Sequence, residues 1–169
     1  GIPYVGCATL SSAVCMDKAV AHTLLSSWGI GQAEYLWFFA DKYEGAGRLK
    51  IRQKIEARLG YPVFLKPANA GSSVGISRLN SEEELDAAVQ KAAHEDSKIV
   101  VERLVVGQEV ECAVLGNENP QASVVGEVAA AVVFYDHDDT HKTVQSQLYI
   151  PAHLSEGVYE ETRHTHCRA

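Results

Sequence analysis

One stretch constrains the fold of this chain more than any other. From Tyr61 to Arg78 it reads Y-P-V-F-L-K-P-A-N-A-G-S-S-V-G-I-S-R. A short apolar run delivers Lys66 and stops at Pro67, whose ring fixes the backbone and removes a donor. Ile76 to Leu79 then reads as a second, returning strand. Between them lies Gly71-Ser72-Ser73-Val74-Gly75, where backbone N–H groups and hydroxyls can approach a ligand closely. A cation at a strand end beside a donor-rich loop suits a grip on phosphate. The expectation is therefore a nucleotide-handling site.

The rest of the chain supplies elements around that stretch. Ser11 or Ser12 can cap a helix running to about Trp28, with Met16, Val20, Leu24 and Trp28 as its apolar stripe and Gly29 as its stop. Lys18 falls off the stripe and reads, on spacing alone, as an exposed lysine. Glu34 to Ala40 is aromatic and apolar and reads as a buried strand. Arg48 to Leu59 reads as a helix with Leu49, Ile51, Ile55 and Leu59 inward. Ser81 and Glu84 have the spacing of a capping box, opening a helix with Leu85, Ala88, Val89 and Ala92 on one face.

Ile99 to Val101, Glu109 to Leu115, Ser123 to Val133 (interrupted at Gly126) and Leu148 to Ile150 read as strands, and Glu156 to Thr165 as a weakly anchored helix. The order, βαβ-loop-βαβ and then a run of strands, predicts an α+β fold in two lobes.

Composition narrows the function classes. The 169 residues suffice for one core or two small lobes, and 46% hydrophobic with 22% charged residues is ordinary for a globular protein. A formal charge of −7 argues against nucleic acid as a partner. No apolar run approaches the ~20 residues of a membrane span. Cys7, Cys15, Cys112 and Cys167 show no paired spacing, which predicts reduced thiols and a cytoplasmic setting.

Neither a Walker A loop nor a G-x-G-x-x-G fingerprint is present. Gly71 to Gly75 does satisfy G-x-S-x-G, which would make Ser73 the nucleophile of a serine hydrolase, provided a helix follows at once. Glu102 and Glu109 are placed to hold ribose hydroxyls or are simply exposed charge. His137, Asp138, Asp139 and His141 could bind a divalent ion or form a polar loop. His164, His166 and Cys167 are metal-like by type, but they sit at a terminus without a complete ligand set.

Taken together, the residues resemble the D-alanine–D-alanine ligases of the ATP-grasp superfamily. The resemblance runs through G-I-P-Y-V-G-C at Gly1, Ser11-Ser12, C-M-D-K ending at Lys18, Leu59 to Ser77, Val101-Glu102 and G-Q-E-V-E-C-A-V-L-G from Gly107. Gly126-Glu127, Phe134-Tyr135-Asp136 and Ile150-Pro151-Ala152 continue it in order. It implies an ATP site between two lobes, with residues 1–14 a linker, 15–106 the small lobe and 107–169 part of the catalytic lobe.

Lys18 and Lys66 would contact the α- and β-phosphates. Gly71, Ser72, Ser73 and Val74 would close over them, with Ser72 also near the substrate as a catalytic residue. Glu102 would take the adenine amino group, the backbone of Arg103 and Val105 the adenine edge, and Glu109 the ribose. ATP, with magnesium, would phosphorylate one D-alanine, and the amine of a second would displace the phosphate to give the peptidoglycan dipeptide. The family is usually a homodimer.

The resemblance also has gaps. The family's N-terminal domain and its R-x-D and N-E-x-N segments, which supply magnesium ligands, have no counterpart here. The chain is therefore expected to be a central portion, inactive in ligation by itself, with a non-catalytic nucleotide-binding remnant as the alternative. Thr140 stands where the family's mobile loop carries a lysine, with Lys142 two residues on. Glu111 in E-V-E-C favours D-alanine over D-lactate or D-serine as second substrate.

Overall fold

The computed structural model describes residue 2 and residues 4–129 and 147–168. The chain divides into two compact units, Gly1–Val105 and Val106–Ala169.

The first unit is built on a four-stranded sheet in the order β1-β4-β2-β3, all neighbours antiparallel. Its strands are β1 (Tyr35–Phe39), β2 (Val63–Pro67), β3 (Ser77–Leu79) and β4 (Lys98–Arg103). Alternation along each strand sends successive side chains to opposite faces. Phe38, Val63, Leu65, Leu79, Ile99 and Val101 face one way and form the core with Ile55 and Leu59 of helix α3 (Gly45–Arg58, capped by Leu59). Helix α4 (Leu85–Glu95) completes that core with Leu85, Ala88, Val89 and Ala92, the face its periodicity predicts. Arg52 ties the two helices together, donating to Asp86 at 2.6 Å, to Glu82 at 2.9 Å and to the Tyr43 hydroxyl at 3.1 Å. Tyr43 in turn donates to Asp86.

Several sequence expectations are corrected here. The single helix expected to run from Ser11 to Trp28 is two, α1 (Thr9–Met16) and α2 (Lys18–Ser27), broken at Asp17. Asp17 leaves helical geometry because its carboxylate caps α2, accepting from the N–H groups of Ala19 at 3.0 Å and Val20 at 3.2 Å. The stripe expected to face inward lies outward, with Met16 60% exposed; it is Ala19 that packs on the sheet, against Ala68 and Val100. β1 is an edge strand rather than a buried one, and only Phe38 is fully covered. Leu49 is 59% exposed because it lies off the line of Ile51, Ile55 and Leu59, four residues apart, that α3 presents to the core.

The capping box does not form either. A 3-10 turn at Glu82–Glu84 precedes α4, and Glu84 reaches the N–H of Asn80, one residue before Ser81.

The second unit has smaller sheets. β5 (Val110–Glu111), β8 (Gly126–Ala129) and β9 (Gln147–Tyr149) form one in the order β5-β8-β9, and β6 (Val114–Leu115) pairs with β7 (Gln121–Ala122). The strand expected over Glu109 to Leu115 is thus split between two sheets. Helix α5 (Glu156–Arg168) is longer than expected, and Arg163 ties it to β7 through the carbonyls of Ala122 and Ser123.

Candidate functional site

The face of the sheet opposite α3 and α4 carries the chemistry. Registers Tyr35↔Glu102 and Phe64↔Glu102 put Tyr35, Glu102, Phe64 and Lys66 on this side. Lys66 donates to Glu102 Oε2 at 2.5 Å, with the two side chains 22% and 12% exposed. Lys66 also lies over the Phe64 ring, 5.6 Å from its centroid. The other oxygen of Glu102 faces His22 Nε2 at 3.0 Å. Burial pushes the Glu102 carboxyl up, but the charge and hydrogen bond of Lys66, followed by those of His22, outweigh it and hold the group below the usual carboxylate range.

His22 and its partner Gln32 are site residues that sequence reasoning missed. His22 stacks on Tyr35, centroids 4.2 Å apart and planes at 17°, and its Nδ1 meets Gln32 Oε1 at 2.5 Å. A signal was present, since His22 stands four residues after Lys18 and therefore on the same face of α2. Nothing local points to Gln32.

Lys18 is turned inward, not exposed as its spacing alone suggests. Its ammonium donates to the carbonyls of Pro67, Ala68 and Ala70 at 3.2, 3.3 and 2.6 Å, so it clamps the chain leaving β2. Burial, and next the charge of Lys66, hold Lys18 below the ordinary lysine value. Its neighbour Asp17 accepts from Lys98 at 2.5 Å. Burial raises the Asp17 carboxyl, and the Lys98 hydrogen bond with the α2 cap more than reverses that, leaving it lowered.

The glycine–serine loop springs from the end of β2. Its root is held by Asp96, which accepts from the Asn69 backbone at 2.9 Å and from the Asn69 side chain at 2.7 Å. Ser72 and Ser73 both adopt positive φ, 51° and 61°, a conformation that costs a non-glycine residue. Gly71, Ser72 and Ser73 are exposed. Gly75 is required: its φ is +71°, and a Cβ there would meet Glu95 Cγ at 2.9 Å and Pro67 Cγ at 3.1 Å. After it the chain enters β3, not a helix, so the strand–turn–helix of a nucleophile elbow is not built around Ser73. Among the described residues no histidine or carboxylate is hydrogen-bonded to the Ser73 hydroxyl, and the hydrolase reading falls.

Arg103 ends β4 and donates to the carbonyls of Arg58 and Leu59, both at 2.9 Å. Val105 closes the first unit, 68% exposed. Glu109 belongs to the second unit, exposed just before β5, and Glu111 lies exposed within that strand. His137, Asp138, Asp139, Thr140, His141 and Lys142 lie outside the described residues. His166 and Cys167 are engaged by the carbonyls of Thr162 and Pro120 within and against α5. Among the described residues no three carboxylate, histidine or cysteine groups gather as a donor set.

Comparison with known proteins bears directly on these features. The family model "D-ala D-ala ligase C-terminus" matches residues 24–169. The D-alanine--D-alanine ligase of Acetivibrio thermocellus is 46% identical over 163 residues, which is 96% of this chain and 43% of that protein. The crystal structure of VanG D-Ala:D-Ser ligase from Enterococcus faecalis superposes with a TM-score of 0.86 at 37% identity, covering 98% of this chain and 47% of that one. The D-alanine-D-alanine ligase of Coxiella burnetii gives 0.77 at 31% identity, over 99% and 42%.

This chain thus spans somewhat less than half the length of the curated relatives it matches. The matching model is that of the family's C-terminal region, which replaces the expectation of a central portion. With a four-stranded antiparallel sheet that carries a lysine–glutamate pair on the face away from α3 and α4, and matched by these ligases over nearly its whole length, this α+β chain belongs to the D-alanine–D-alanine ligase family and has its ATP-grasp fold.

Proposed function

We propose that the first unit is the nucleotide-binding lobe of an ATP-dependent D-alanine–D-alanine ligase, and the second unit part of the catalytic lobe. One observation carries this reading: Lys66 and Glu102 form a close pair on the face of the sheet away from α3 and α4, at the root of the glycine–serine loop. A carboxylate there can accept from an adenine amino group, while an ammonium an arm's length away answers phosphate charge. Gly71, Ser72, Ser73 and Val74 supply donors for the phosphates, and the backbone of Arg103 and Val105 an adenine edge. Glu109 holds the ribose.

Lys18 supports the phosphate side chiefly by clamping the chain that bears the loop, since three carbonyls already take its hydrogen bonds. Magnesium would arrive with the nucleotide and neutralise phosphoryl charge there. The protein's part is positioning and electrostatic complementarity. The names of the curated relatives support D-alanine as both substrates, and Glu111 points the same way. VanG, named for D-serine, is the second reading for the attacking amine.

The test is ATP binding by the chain, followed by calorimetry in the presence of magnesium. Lys66→Ala is expected to weaken binding by roughly tenfold or more, the loss of one charge-assisted phosphate contact. Glu102→Gln is expected to reduce the preference for ATP over GTP. ATP affinity unchanged in Lys66→Ala would overturn the reading.

A further inference from the structure

Both ring nitrogens of His22 face acceptors. Nε2 meets Glu102 Oε1 at 3.0 Å, and Nδ1 meets Gln32 Oε1 at 2.5 Å. The orientation of the Gln32 amide is set by its other end, where Nε2 donates to the His22 carbonyl at 2.9 Å and contacts Ser26 Oγ at 2.8 Å. Reversing the amide would press its oxygen against that carbonyl. A neutral imidazole has one donor and one acceptor nitrogen, so either tautomer would set a lone pair against an oxygen. Only the doubly protonated ring satisfies both contacts.

With both nitrogens protonated, Lys66, Glu102 and His22 make a chain of alternating charge, closed by a neutral amide and backed by the Tyr35 ring. Glu102 is largely buried, and a buried carboxylate stripped of cations is costly. Lys66 holds Glu102, yet its proposed partner is phosphate. Lys18 lies near enough for its charge to act on Glu102 but gives its hydrogen bonds to carbonyls; when Lys66 turns to phosphate, His22 is the group that still donates to the carboxylate.

We propose that His22, held as an imidazolium by Gln32, is a positioning residue that keeps the Glu102 carboxylate ionised and aimed at the base while Lys66 engages phosphate. This rests on the nucleotide reading above and deepens it, because it assigns base recognition a support separate from phosphate binding. Gln32 acts one step further out, through His22.

The experiment titrates the whole chain with ATP and, separately, with inorganic tripolyphosphate, which has the charge but no base. The unsubstituted protein is compared with His22→Phe, which keeps the ring packed on Tyr35 but has no donors, and with Gln32→Leu, which leaves His22 in place. In both variants ATP affinity is expected to fall about tenfold, as for loss of a hydrogen bond to a charged group, while tripolyphosphate affinity stays within about twofold. A purely structural role would weaken both ligands alike, and that result overturns the proposal, as does unchanged ATP affinity. Nitrogen-15 NMR of the ligand-free chain at neutral pH is expected to show protons on both His22 nitrogens. A bare ring nitrogen sinks the proposal even if ATP binds. Failure of the unsubstituted chain to bind ATP at all sinks the nucleotide reading, and this one with it.

Discussion

Asp17 does three things with one carboxylate. It ends α1, caps α2 and holds Lys98 at 2.5 Å, with side chains only 13% and 19% exposed. Replacing it with alanine removes the cap and strands a covered ammonium. Asp17→Ala is expected to cost about 2–4 kcal/mol in denaturant unfolding at neutral pH. The pH dependence has a definite sign. Asp17 is lowered in the folded state, so its contribution is complete above the unfolded carboxylate value of about 3.9 and fades as pH falls through the lowered one. The gap between wild type and Asp17→Ala should therefore close below about pH 4; a gap that persists at lower pH would contradict this role. The third role does not show in the string C-M-D-K, because Lys98 is brought to Asp17 by the fold.

At the scale of elements, α3 separates burial from mere hydrophobicity. Leu49 and Ile55 look alike in sequence, and both were expected inward. Ile55 is fully buried, while Leu49 lies in water. Ile55→Ala is expected to cost about 2–5 kcal/mol by leaving a cavity, and Leu49→Ala to stay within about 0.5 kcal/mol. Chemical denaturation of the two variants checks this, and comparable losses would mean that α3 packs through the other face. Ile51, Ile55 and Leu59 recur at i, i+4 and i+8, whereas Leu49 stands two residues before Ile51, about 200° around the helix from it, and so faces the other way. By contrast α4 was legible, because Leu85, Ala88, Val89 and Ala92 leave one choice of face whether or not Ser81 caps it.

For the whole molecule, the first unit has a core of its own, shared by one sheet and two helices, and the chain leaves it through Val105 and Val106, which are 68% and 86% exposed. Exposed backbone without regular pairing is where proteases cut. Limited proteolysis is expected to cleave near Val105–Gly107 and leave a resistant fragment containing Asp17 to Arg103, identified by mass spectrometry. Preferred cleavage within β2, α4 or β4 would argue against an independent core.

By itself the sequence determined the strand–loop–strand of Val63 to Leu79, the inward face of α4, the lysine at the end of β2 and the family. The first three rest on local periodicity, turn chemistry and spacing, which act over a few residues, and the family on the resemblance of its motifs. The pairing of Asp17 with Lys98, the inward turn of Lys18 and the placing of His22, backed by Gln32, beside Glu102 were decided only by the tertiary structure. Each depends on partners far along the chain, and a buried charge takes whichever counter-charge the packing brings to it.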